Sequence, residues 1–139
     1  MLRLSWWRRH FMKAWAMTLP ALIRTYLDAY NRKDVATLAS CVADAVVFEN
    51  VSNAGQSLKI EGRDAFARLA TQAAGLFVHR NQTVRTAVVN GDSIALEIEW
   101  KGTPAVDLGP MKAGVETTMR GASFLTIADG KLIRIVDLS

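Results

Sequence analysis

Beyond Ala74 the apolar residues of this chain stop recurring every three or four positions and begin to alternate, and that change of period constrains its fold most. Ile94, Leu96, Ile98 and Trp100 interleave with Ala95, Glu97 and Glu99, the pattern of a strand with one buried face. Asn90-Gly91 stands just before that run and suits a two-residue hairpin turn, so residues 82–89 are expected to pair with 93–100. Asp129-Gly130 marks a second hairpin between residues 115–127 and 131–138. Between the hairpins, residues 101–114 carry two prolines and three glycines and read as a loop bordering a pocket.

Upstream the spacing is helical. Thr18 is placed to cap a helix, Pro20 suits its first turn, and Leu22, Ile23, Tyr26, Leu27 and Tyr30 form one stripe. Asp34 caps a second, short helix presenting Val35, Leu38 and Val42 and closing at Asp44. Residues 46–51 are rich in β-formers and end in the turn-prone Ser52-Asn53-Ala54-Gly55. A third helix over 63–74 carries Phe66, Leu69 and Ala73 on one face. The order is ααβαββββ, with no βαβ alternation to suggest a parallel sheet. The expected fold is α+β: a cone-shaped, curved antiparallel sheet wrapped over N-terminal helices, with a conical pocket between them.

At 139 residues and 50% apolar composition the chain forms one core without metals or disulfides. Its single cysteine, Cys41, lies in an apolar-patterned stretch and reads as a small buried side chain. The sequence pI of 9.6 suggests nucleic acid, but the excess charge is local. Residues 1–16 hold Arg3, Arg8, Arg9 and Lys13 with no acid, and thirteen basic and thirteen acidic side chains remain in the rest. Nucleic acid is therefore not expected as a partner. The same sixteen residues hold three of the four tryptophans and form a basic aromatic arm, set apart from a pocket domain over 17–139. That arm reads as a mis-assigned start, a disordered segment or an amphipathic helix. Charges interrupt it too often for a secretory signal, no transmembrane segment is present, and a cytoplasmic location is expected. Two distant histidines and one cysteine make no zinc site, so neither a metal nor another cofactor is expected.

The segments YLDAYNRKDVATLASCVADAVVFEN, IEGRDAFARL, EWKG and RGASFLTIADGKLIRIVDL, in this order and spacing, resemble the nuclear-transport-factor-2-like superfamily. Within it the chain is similar to SnoaL-like polyketide cyclases and ketosteroid isomerases. The resemblance implies the cone-shaped fold, frequent dimerisation through the outer sheet, and functions ranging from isomerases and dehydratases to non-catalytic binders, so fold leaves function open. A ketosteroid isomerase pairs an aspartate base with a tyrosine and a protonated aspartic acid as oxyanion donors. Alignment on Lys33-Asp34 and Val42-Ala43-Asp44 places Tyr26 at the tyrosine. It places Asn50 at the base, where an amide cannot abstract a proton, and Ser123, or Ala122, at the protonated acid. Asp137 matches the acid near the end of the last strand in the cyclases, with Leu138 replacing the aromatic that follows it.

Tyr26 sits on the helix stripe, where it either packs in the core or donates into the pocket. His79 is either a loop-edge side chain or a general base. Glu97 and Glu99 are expected on a solvated outer face. Arg120, alternating with Ala122 and Phe124, is expected to face inward and to pair with Asp137. Asp137, Tyr26 and His79 are thus the catalytic candidates, and Asn50, Phe48, Trp100, Arg120 and Ser123 the pocket lining. The function expected is a pocket for a small apolar molecule, with proton-transfer chemistry of isomerase, cyclase or dehydratase type. The alternative is a non-catalytic homodimeric binding or accessory module. In either case a homodimer through an apolar row on the outer sheet is expected.

Overall fold

A computed structural model describes residues 19–139, so the arm expected over 1–16 and the Thr18 cap lie outside the described residues. Helix α1 (Ala21–Arg32) starts at Pro20, whose carbonyl accepts from the Ile23 and Arg24 amides at 3.0 and 3.1 Å. Its apolar stripe buries Ile23, Tyr26 and Leu27. It ends at Lys33, which takes a left-handed φ of 57° and turns the chain into α2 (Val35–Ser40). Asp34 caps α2 by accepting from the Thr37 amide at 3.1 Å, as expected of a carboxylate at a helix start.

Helix α2 ends sooner than its apolar spacing suggests. Val42 belongs to β1 (Val42–Val51), which runs on through Asp44. A short strand, β2 (Leu58–Glu61), precedes helix α3 (Arg63–Gly75). Four strands follow: β3 (Phe77–Asn90), β4 (Ser93–Pro104), β5 (Thr117–Ala128) and β6 (Lys131–Leu138). Both hairpins form at the expected turns, with Asn90 opposite Ser93 and Ala128 opposite Lys131. The strands of the first hairpin extend beyond 82–89 and 93–100, so His79 lies within β3 and the first residues of the expected loop belong to β4.

One six-stranded sheet results, in the order β2-β1-β6-β5-β4-β3. The expected antiparallel sheet is corrected to a mixed one, because β1 and β6 run parallel, with Phe48 opposite Ile135 and Asn50 opposite Asp137. Register shifts occur in β3 between Phe77 and His79 and between Val84 and Thr86, and in the β1–β6 pair between Val42 and Val47. Such irregularities bend strands, which lets the sheet curve around α1. The side chain of Asn31 fastens the end of α1 to β3, donating to the Gln82 carbonyl at 3.2 Å and accepting from its amide at 2.7 Å. The inner face then closes on Ile23 with Val46, Leu96, Leu125, Leu132 and Ile135, all almost fully buried. Each such side chain contributes roughly 1.5–3 kcal/mol by leaving water. Cys41 is buried, and burial raises its thiol pKa, which suits a packing role.

Candidate functional site

Between the helices and the inner face lies a cavity of about 310 Å³, at the small end of the range for small-molecule sites. One row of the sheet crosses it. Asn50 on β1, Asp137 on β6, Ser123 on β5 and Leu96 on β4 stand opposite one another in register, so the first three bring polar groups to the same wall. Ser123 donates its hydroxyl hydrogen to Asp137 Oδ1 at 2.7 Å. Desolvation in this apolar setting raises the Asp137 carboxyl from 3.8 to about 6, against the opposing pull of the Ser123 hydrogen bond.

Tyr26 enters the cavity from α1. Burial holds its phenol well above the usual 10, the negative charge of Asp137 adds to the rise, and Arg80 opposes it. Tyr26 therefore stays protonated at any physiological pH and can serve as a hydrogen-bond donor. Asp137, with a pKa near neutrality, can give up and take back a proton. Phe48 and Phe66 meet edge to face at 5.8 Å and form an apolar side of the same space. Phe77 and Trp100 form another, with ring centroids 5.2 Å apart, and Trp100 Nε1 donates to the Tyr30 hydroxyl at 2.9 Å.

The remaining candidates are placed differently. His79 is exposed on β3 and is not among the residues lining the cavity. Arg120 reaches the cavity rim, but its side chain is 57% exposed and its guanidinium pairs with Glu97. The expected inward Arg120–Asp137 pair is thus corrected. On β5 the buried residues are Ser123 and Leu125, so Arg120 and Phe124 share the opposite face. Glu97 and Glu99 do stand outside, where Thr86 donates to Glu97 at 2.8 Å and Arg85 to Glu99 at 2.6 Å.

Arg80 and Tyr30 are among the lining residues that the sequence reading did not assign to the cavity. Arg80 is 2% exposed, and its Cζ lies 3.9 Å from the centre of the Tyr30 ring. The strand was expected to begin at Gln82, which left Arg80 outside any pattern. Extending the alternation of Gln82 and Val84 backward by one step would have turned it inward. Tyr30 was read as stripe only, although its hydroxyl is polar enough to need a partner. No group of three or more His, Cys, Asp or Glu able to hold a metal occurs among the described residues.

A family model described as the SnoaL-like domain matches residues 23–135. A protein from Xanthomonas campestris provisionally assigned as a polyketide cyclase superposes with a TM-score of 0.72 at 23% identity, covering 85% of this chain and 87% of its own. A protein of ketosteroid isomerase-like fold from Catenulispora acidiphila, bound to trimethylamine, gives 0.73 at 14% identity, with coverages of 86% and 85%. An epoxide hydrolase of LEH-like type from M. tuberculosis gives 0.67 at 19% identity, with coverages of 84% and 78%. At these identities the likeness is one of fold. A search among curated proteins found no match.

Proposed function

The chain belongs to the SnoaL-like domain family, and from that premise we propose that its cone binds a compact, largely apolar molecule and moves a proton on it. Asp137 acts as the base, Tyr26 donates a hydrogen bond to the oxygen on which negative charge develops, and Ser123 orients the carboxyl. The observation that carries this reading is the Asp137 carboxyl itself, set in an apolar cavity at a pKa of about 6 beside a phenol that cannot ionise. A base of that strength is about 90% ionised at pH 7 and still strong enough to take a proton from a carbon activated by a carbonyl. The test is solvent deuterium exchange into small cyclic ketones, followed by proton NMR. Wild type should exchange the α-hydrogens, with a rate that rises through pH 6, and Asp137→Asn should lose at least a hundredfold. Binding without exchange in both would leave a non-catalytic binding module.

Assembly is part of the same proposal. Val88, Ala95, Phe124 and Val136 stand opposite one another across four strands; Val88 and Phe124 are 60% and 41% exposed, whereas Val136 is buried at 7%. Beside this row Arg120 pairs with Glu97 and Arg85 with Glu99. A face carrying both an apolar row and both signs of charge supports self-pairing about a two-fold axis, the commonest symmetry of soluble oligomers. The partner proposed for the outer sheet is a second copy of this chain. No helix among the described residues is long and apolar enough to cross a membrane.

A further inference from the structure

We propose that Arg80 anchors the carboxylate of an amphipathic acid, so that the molecule held in the cone carries one negative group on an otherwise apolar body. This rests on the reading of the cone as a ligand cavity and goes beyond it by naming the ligand's charged end.

A guanidinium carries five N–H donors and stays protonated in proteins. Arg80 Nε donates to the Tyr30 carbonyl at 3.3 Å, whereas the buried Nη2 has no hydrogen-bond partner among the described residues. Nor does Arg80 form an ion pair among them. The acid that shares its cavity, Asp137, is bonded to Ser123 instead. An uncompensated buried cation is costly and persists only where something returns the lost solvation. The Tyr30 ring supplies part of this through its face, at 3.9 Å from Cζ.

The same contacts fix the plane of the group. Tyr30 is held at its hydroxyl by Trp100, and its ring and carbonyl both engage Arg80. The guanidinium is therefore oriented before any ligand arrives. A planar, oriented fork with unused donors matches a carboxylate, which can take two parallel N–H bonds. Phe77 and Trp100 line the same cavity and suit an aromatic or alicyclic body. Tyr26 and Asp137 line the same cavity as Arg80, so donor, base and anchor face one space.

Calorimetry with 1-naphthoate and 1-naphthamide, which differ in charge but little in shape, tests the assignment on the full chain. Wild type is expected to bind the carboxylate at least tenfold more tightly than the amide. Arg80→Met should abolish that preference while still binding the amide. Equal binding of the two by wild type overturns the anchor and leaves the cavity standing. A carboxylate preference that survives Arg80→Met also overturns it, and binding of neither probe overturns the cavity reading as well. Inorganic phosphate binding as tightly as naphthoate would replace the carboxylate with a general anion and sink the proposal. If Arg80→Met does not fold, the wild-type comparison decides, and Arg80→Gln provides the second variant.

Discussion

Asp137 makes the stability of the protein depend on pH in a direction opposite to that of most carboxylates. Its folded pKa of about 6 lies above the ordinary 3.8, so the folded state holds the proton more tightly. The contribution of this group to stability is therefore greatest below pH 4, declines between pH 4 and 6, and is level above that, with a total loss of up to about 3 kcal/mol. Asp137→Asn keeps an oxygen to accept from Ser123 but cannot ionise. It should match wild type at pH 4 and exceed it by up to about 3 kcal/mol at pH 8, measured by urea unfolding at both values; parallel behaviour of the two proteins would show that the carboxyl does not titrate in this range. Asn50 supports a second expectation: wild type should show no double-bond migration on 3-keto steroids, because an amide stands where the isomerases have their base. Asn50→Asp sets a carboxylate opposite Asp137, and activity is expected in that variant only, since general-base catalysis contributes a factor of about 10² to 10⁴. Activity in wild type would overturn the alignment. The positions of Tyr26, Phe48, Asn50, Trp100, Ser123 and Asp137 on the cavity wall could be read from alternation and resemblance. Arg120 was also read onto that wall, but its pairing with Glu97 rather than Asp137 was not legible, because exposed Phe124 looks like an inward residue and carries the phase of its strand the wrong way.

Among the elements, the hairpins and helices were legible because their signals are local: a turn pair, a cap, a stripe. Strand β2 was not, since four residues give too little alternation to separate them from a loop. The parallel pairing of β1 with β6 was invisible for another reason. It joins segments about 90 residues apart, and no local pattern distinguishes a strand by the direction of its neighbour. Two glycines show how closely the elements fit. A Cβ on Gly121 would lie 2.6 Å from the Leu138 carbonyl oxygen, so Gly121→Ala must push β5 and β6 apart two residues from the Ser123–Asp137 bond. Its expected cost is about 1–3 kcal/mol in thermal or urea unfolding. Gly75, at the end of α3, has nothing within 4 Å of such an atom. Gly75→Ala should accordingly stabilise by up to about 1 kcal/mol in the same measurement.

For the whole molecule the outer face is the decisive surface. Static light scattering at micromolar concentration should give twice the chain mass of 15.3 kDa. Phe124→Glu, which puts a charge in the middle of the apolar row, should return it to a monomer without unfolding it. A wild-type monomer would refute the proposed assembly. The place of β6 in the sheet bears as well on how a ribosome must deliver this protein. Strand β6 alone bridges β1 and β5, so the β2–β1 and β5–β4–β3 portions have no ladder in common until residues 131–138 appear. A nascent chain halted after β5 holds two half-sheets with open inner edges, each able to pair with a stranger. The acid at the centre of the proposed chemistry thus arrives on the strand that closes the sheet, so one eight-residue segment completes both cavity and fold.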